Sequence, residues 1–174
     1  MSSSVGVAHG CSLWLVPEGD IGERLADEIR RRNRVPFTPH VTLVGGIRID
    51  ERATYGIGTR LRNLARRIRS FDVHLGAAAA GKDFFRSVYL SVTRSPMLLD
   101  ARAWAEAMFG AGIGVPFEPH LSVVYGEQPP EERRRIAEEL GERFAGTFAV
   151  RKLELHITEG PVGGWSPMSS CVLP

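Results

Sequence analysis

Short apolar runs alternate along the chain with stretches in which apolar residues return every three or four positions. Ser12-Leu-Trp-Leu-Val16 is a continuous apolar run stopped by Pro17, the pattern of a buried strand. Ile21, Leu25 and Ile29 then follow at helical spacing, with Asp20 and Glu23 placed as a capping box, predicting a helix of about three turns. A strand is expected from His40 to about Ile49. Beyond it, Asp50 and Glu51 open a helical stretch carrying Leu61, Leu64, Ala65 and Ile68, whose early part is weakened by Gly56 and Gly58. Phe71 to Leu75 alternates as a half-buried strand does, and Gly76-Ala-Ala-Ala-Ala-Gly81 predicts a loop or an irregular, closely packed strand.

The second half repeats the plan. Phe84 to Val92 reads as a strand, and Ser95-Pro96 as an N-cap with proline at the first helical position, ahead of Leu98, Ala101, Ala105 and Met108. After a second strand from His120, Pro129-Pro130-Glu131-Glu132 starts a helix with Ile136, Ala137, Leu140 and Phe144 on one face. Thr147 to Thr158 reads as one strand and Ser169 to Leu173 as a short closing one. Strand, helix, strand, helix, strand thus occurs twice. This predicts an α+β fold in a single domain over residues 1–174, made of two related lobes, each a small sheet backed by helices. The repeated halves fall at about 11–80 and 85–160, and 161–174 closes the fold.

One stretch makes the duplication explicit. Val35-Pro-Phe-Thr-Pro-His40-Val-Thr42-Leu-Val-Gly-Gly46 returns 80 residues later as Val115-Pro-Phe-Glu-Pro-His120-Leu-Ser122-Val-Val-Tyr-Gly126. Pro39 and Pro119 cannot donate to a sheet ladder and suit the start of a strand. From there side chains alternate, so His40 and Thr42 share one face and Val41 and Leu43 the other, as do His120 and Ser122 against Leu121 and Val123. If a pseudo-twofold axis relates the lobes, the two polar faces meet across a cleft.

Composition narrows the class. Apolar content of 43% and charged content of 24% are those of an ordinary globular chain, and no apolar run approaches the length of a membrane span, so no membrane association is expected. The amino terminus shows neither a basic flank nor a signal-peptide core, which predicts a cytosolic or nuclear protein, and we take the cytoplasm as the expectation. Cys11 and Cys171 are too few for a disulfide framework and lack metal-ligand spacing; both are expected as reduced core residues. A net charge of +2 argues against long nucleic-acid partners, and the arginines at 30–34, 60–69 and 133–135 read as solvated helix faces. A monomer is expected.

Two histidines near their ordinary pKa of 6.5 suit an in-line displacement at phosphorus, one taking a proton from water and the other giving one to the departing oxygen. Thr42 and Ser122 would hold the non-bridging oxygens. Neither motif offers the carboxylates or cysteines that a metal site recruits; Glu118 is the one acid inside either copy, and its counterpart is Thr38. No metal and no cofactor are expected. Duplication kept for packing alone is the competing reading. His9, His74 and His156 have no partner at the 80-residue offset, and His74 and His156 read as ordinary polar-face residues.

The paired Pro-His-Val-Thr-Leu and Pro-His-Leu-Ser-Val motifs resemble the two signatures of the 2H phosphoesterase superfamily. The flanks, including Ser12-Leu-Trp-Leu-Val-Pro17, Phe84-Phe85, Tyr125, Trp165 and Cys171-Val-Leu, are similar to its plant and fungal cyclic phosphodiesterases. The resemblance implies a bilobal fold and metal-independent opening of small cyclic phosphates. Its substrates would be ADP-ribose 1″,2″-cyclic phosphate, a by-product of tRNA splicing, and nucleoside 2′,3′-cyclic phosphates. It also implies His40 and His120 as catalytic residues, with His120 the base and His40 the acid, Thr42 and Ser122 on phosphate, and Tyr125, Phe84 and Trp165 near the substrate. The first motif departs from the pattern by carrying Gly45 where the second has Tyr125. An RNA end-processing or 2′–5′ ligase-type enzyme, and a nucleotide-binding module without activity, are the alternatives.

Overall fold

The computed structural model describes the backbone of residues 7–8, 10–48 and 51–174, and side chains over 10–48 and 56–174. In chain order the elements are β1 (Val7–Ala8), β2 (Cys11–Leu15), α1 (Gly19–Arg32), β3 (Val41–Ile47), α2 (Glu51–Ala65), β4 (Phe71–Asp83), β5 (Arg86–Val92), α3 (Pro96–Phe109), β6 (His120–Val124), α4 (Pro130–Leu140), β7 (Gly146–Val150), β8 (Lys152–Ile157), β9 (Gly160–Pro161) and β10 (Ser166–Val172). Eight strands form one antiparallel sheet in the order β10-β8-β2-β3-β6-β5-β4-β7, and β1 pairs with β9 beside it.

The sheet divides naturally at its centre. Four strands, β10-β8-β2-β3, lie on one side and four, β6-β5-β4-β7, on the other, and they meet through a single residue pair, Val41 with Leu121. The second quartet is contiguous in sequence, from Phe71 to Val150, whereas the first draws on both ends of the chain. The quartets therefore do not coincide with the sequence repeats at 11–80 and 85–160. Helices α2 and α3 pack against β8, β10 and β3, and α1 and α4 against β6, β4 and β5. The single core runs through both quartets: Leu13, Val41, Leu43, Leu90, Leu121 and Leu155 bury one face of the sheet beneath Leu25, Ile29, Leu61, Leu98 and Leu140 of the helices.

Several local expectations hold for identifiable reasons. Ser95 caps α3, its hydroxyl accepting from the Leu98 amide, and Gly110 ends the helix in the left-handed region that glycine adopts without strain. Helix α4 begins at Pro130, and Phe144 stays buried in the turn after it. The alanine run is an irregular strand, part of β4, with register shifts around Ala78 and Ala80. Gly81 is required there, because a Cβ would sit 1.7 Å from the carbonyl oxygen of Arg86.

Others are corrected. The capping box at Asp20 and Glu23 does not form: α1 starts at Gly19, and Glu18 at its N-cap makes no capping hydrogen bond, its carboxylate pairing with Lys152 instead. The strand read over Thr147–Thr158 is two, broken at Arg151 and placed at different parts of the sheet. The buried positions show why, since Phe148 and Val150 are even-numbered while Leu153 and Leu155 are odd, and one strand cannot change phase without a break. Strand β5 begins at Arg86, so Phe84 and Phe85 form the turn before it. Ile49 and Asp50 lie outside the described residues. Cys11 is buried, whereas Cys171 is half-buried at the sheet edge, and both are free thiols.

Of the arginine clusters, those on α1 and α4 face acids of their own or a neighbouring helix. The carboxylate of Glu28, 2% exposed, is bound by Arg31, Arg32 and Arg143, which fastens α1 to the turn after α4. Burial raises the Glu28 carboxyl, but the Arg32 hydrogen bond and the three guanidiniums outweigh it and hold the group ionised. No helix among the described residues is long and apolar enough to cross a membrane.

Candidate active site

The contact between the quartets is where the two motifs meet. An antiparallel register through Val41 and Leu121 sets position 40 across from 122 and position 42 across from 120, so each histidine faces the hydroxyl residue of the other motif. Val41 and Leu121 turn into the core with no exposed area, and the alternation sends His40, Thr42, His120 and Ser122 to the opposite face. All four line one cavity of about 270 Å³ together with Ser12, Trp14, Phe85, Tyr125, Thr158 and Trp165.

Both imidazoles are oriented the same way. His40 Nδ1 lies 2.6 Å from the carbonyl oxygen of Thr38, and His120 Nδ1 lies 2.8 Å from that of Glu118, in each case the residue two positions earlier. A carbonyl oxygen can only accept, so Nδ1 carries the proton and Nε2 is the nitrogen left for chemistry. The prolines explain the geometry. Pro39 and Pro119 hold the backbone extended just before each strand, which turns the preceding carbonyl back onto the ring.

The surroundings differ. His40 is 7% exposed and stacked on the indole of Trp14 at 3.7 Å and 9°, and His156 covers the other face of the same indole at 3.9 Å. Burial drives the His40 pKa from 6.5 down to about 3, against the opposing hydrogen bond to Thr38, with smaller contributions from His156 and His120. That depression corresponds to roughly 5 kcal/mol against the charged ring, more than the ~2 kcal/mol an indole face returns to a cation, so His40 stays neutral. His120 is half-buried, with Tyr89 edge-on at 5.5 Å. Its pKa is also lowered, chiefly by burial and further by Arg86, while the Glu118 backbone bond and the charges of Glu118 and Asp83 work to raise it.

The hydroxyls differ too. Ser122 is buried and its hydroxyl donates to the carbonyl of Phe85 at 2.6 Å, tying β6 to the β4–β5 turn. Ser12 and Thr158 hydroxyls lie 2.9 Å apart on the other flank.

Of the aromatic residues expected near the substrate, Tyr125 and Trp165 line the cavity and Phe84 does not. Phe85 takes that place, with Phe84 packed edge-on behind it at 5.1 Å, because the pair sits in a turn rather than in a strand where alternate residues would face the site. Burial raises the Tyr125 hydroxyl well above its ordinary range, so the ring is a neutral wall. Ser12, Trp14 and Thr158 line the cavity but are not among the site residues expected from the sequence. In a strand covered on both faces, Ser12 and Trp14 read as ordinary members of an apolar run. His156 is no ordinary polar-face residue: it is buried, its Nε2 2.8 Å from a Glu154 oxygen. His9 lies outside the described residues. Among the described residues no group of three His, Cys, Asp or Glu side chains is placed to hold a metal ion.

Residues 17–161 match the profile of the 2′-5′ RNA ligase superfamily. The chain belongs to that superfamily, the 2H phosphoesterases. Within it, the chain is similar to a 2′,3′-cyclic-nucleotide 3′-phosphodiesterase of Yarrowia lipolytica, 28% identical over 145 residues that make up 78% of this chain and 66% of that protein, just under two thirds. It is also similar to a cyclic phosphodiesterase of Arabidopsis thaliana, 24% identical over 132 residues, 73% of this chain and 71% of that one. Solved structures of the 2H fold superpose along nearly the whole chain. The Thermus thermophilus protein TT0787 gives a TM-score of 0.64 at 17% identity, covering 94% of this chain and 97% of that one. E. coli LigT complexed with NADP+ gives 0.62 at 18%, covering 97% and 99%. At these identities the superpositions establish the 2H fold, an α+β sheet with four helices, and nothing finer.

Proposed function

We propose that the protein is a metal-independent 2′,3′-cyclic-nucleotide phosphodiesterase that opens nucleoside 2′,3′-cyclic phosphates, and ADP-ribose 1″,2″-cyclic phosphate in the same way, to leave the 2′-phosphate or its ADP-ribose 1″-phosphate counterpart. The observation that carries the reading is the pair of imidazoles with Nδ1 fixed and Nε2 free, sharing one small cavity with two hydroxyls. The cyclic phosphodiesterase names of the Yarrowia and Arabidopsis relatives support the substrate class.

In the step envisaged, water attacks phosphorus and gives a proton to one Nε2. The bond to the 3′ oxygen breaks, and the other imidazole, protonated, supplies the proton to that oxygen. The surroundings of the two rings favour His40 as base and His120 as acid, the reverse of the division the resemblance implies. His40 is held neutral by burial, whereas His120 is nearer water and nearer the carboxylates of Glu118 and Asp83, and protonates at lower cost. Thr42 and Ser122 steady the non-bridging oxygens, Ser122 by releasing the Phe85 carbonyl. Tyr125, Phe85 and Trp165 offer rings to the base. The small volume suits a mononucleotide end rather than a duplex, which favours this reading over processing of long RNA. The work envisaged is that of a cytoplasmic monomer.

Incubation of the purified protein with uridine 2′,3′-cyclic phosphate in excess chelator should yield uridine 2′-phosphate. Absence of turnover until a divalent ion is added would contradict the metal-free mechanism, and the 3′-phosphate as product would contradict the direction of opening.

A further inference from the structure

The segments that lead into the two histidines, residues 33–39 and 112–119, are each fastened to the strand of the other motif. At the end of α1, Asn33 donates from Nδ2 to the carbonyl oxygen of Val123 at 2.9 Å and accepts at Oδ1 from the Tyr125 amide at 3.0 Å, both in the motif of His120. On α3, Arg102 donates from Nη1 to the carbonyl oxygen of Leu43, in the motif of His40, and from Nη2 to that of Gly112 at 2.9 Å, in the segment leading to His120. Leu43 and Val123 occupy the same position in the two copies, one residue past the hydroxyl. The phenylalanines repeat the crossing: Phe37 stacks on Tyr125 at 3.8 Å and 12°, and Phe117 lies under the Arg102 guanidinium at 5.0 Å.

The strands by themselves fix little. Because β3 and β6 pair only at Val41 and Leu121, the sheet ladder sets their separation at one point, and the side chains of Asn33 and Arg102 hold them beyond it. Arg102 is buried and all three of its guanidinium nitrogens are taken, the third by Glu106 at 2.7 Å, so it is a rigid bridge. Gly112 makes room for it: a Cβ there would sit 2.5 Å from Nη2. We infer that Asn33 and Arg102 are positioning residues that set the spacing of the two imidazoles, each locking the approach to one histidine onto the strand of the other. The inference rests on the two-histidine reaction proposed above, in which both rings must reach one phosphate together. A displacement of about 1 Å in such an arrangement costs up to about 10²-fold in rate.

The test measures kcat and KM of Asn33→Ala and Arg102→Lys on uridine 2′,3′-cyclic phosphate, with circular dichroism showing that each variant is folded. Asn33 has an extended backbone, φ −118° and ψ 134°, which alanine adopts without strain, and lysine keeps the charge of Arg102 but not the fork that spans two carbonyls. Each variant should lower kcat by about 10- to 100-fold with KM close to wild type. On a His40→Ala or His120→Ala background, where one ring is left and there is no spacing to keep, the same substitutions should cost little more. Losses as large on those backgrounds as in the intact pair would make the two residues merely structural, and an unchanged kcat in both variants would overturn the inference outright. If the unaltered protein opens no cyclic phosphate, the catalytic reading fails by itself, and ¹⁵N NMR of the imidazoles still decides the positioning. Asn33→Ala should move the signals of both rings, although it lies on the approach to His40 alone; movement of one ring only, or of neither, sinks it.

Discussion

His40 and His120 open matching segments at the starts of neighbouring strands, yet one is sealed against an indole and the other is half-buried beside charged groups. The backbone is copied faithfully, down to the carbonyl two residues back that fixes each ring. What differs comes from the neighbouring strands. Beside His40 stands β2, whose Trp14 pairs with Thr42; beside His120 stands β5, whose Tyr89 pairs with Ser122 and whose first residue is Arg86. In the mechanism proposed, duplication supplies two identical proton carriers, and unequal neighbours divide the labour between them. This is how one side-chain type serves as acid and base at a single pH.

The largest effects should come from deleting either proton carrier. His40→Ala and His120→Ala should each lower kcat/KM for a nucleoside 2′,3′-cyclic phosphate by about 10²–10⁴, and the double variant should lose far less than the product of the two, since both serve one transition state. A folded variant with near wild-type turnover would remove that histidine from the mechanism.

A different asymmetry should show in stability. Unfolded, His40 takes a proton near pH 6.5, and folded near 3, so between those values the unfolded state binds a proton the native state refuses. Stability is then complete above about pH 6.5 and falls by a few kcal/mol as the pH drops toward 3. His40→Asn should flatten much of that slope in acid melts and His120→Asn less of it; equal flattening would erase the distinction between the rings.

Smaller again is the aromatic contribution. Tyr125→Ala should raise KM by roughly 5- to 150-fold, the worth of one stacked base, with kcat less affected, while Phe84→Ala should leave KM close to wild type. An unchanged KM for Tyr125→Ala would take that ring out of substrate binding.

The hydroxyl pair should split least. Ser122→Ala strands the Phe85 carbonyl and should cost about 1–3 kcal/mol in melting experiments, whereas Thr42→Ala should act on rate with little loss of stability. Equal melting temperatures for the two would show that the Ser122 bond does not hold the turn.

Much of this is legible in the sequence. The repeat announced the duplication, and strand alternation put His40, Thr42, His120 and Ser122 on common faces. Apolar period located all four helices, and the start signals placed the beginnings of α3 and α4. What stayed hidden depended on partners distant in sequence. Trp14 reads as core in a buried strand and reaches the site only because β2 lies beside β3. The exchange of Phe84 for Phe85 turned on a two-residue turn that an aromatic run disguises. The crossing of β8 into the first quartet was signalled only by the change of phase at Arg151, a cue easily passed over in a run of alternating residues. The unequal burial of the two histidines is a property of neighbours, and no motif carries it.

The central claim, that His40 remains the neutral partner while His120 carries the proton, is tested most directly by following both imidazoles by ¹⁵N NMR across pH, free and with a nucleoside 2′-phosphate bound. The account predicts that free His40 titrates far below pH 6.5 with Nδ1 protonated and Nε2 bare, that His120 titrates at a higher pH than His40, and that ligand binding places the proton on His120. Titration of His40 above His120, or capture of the ligand-linked proton by His40, would contradict it.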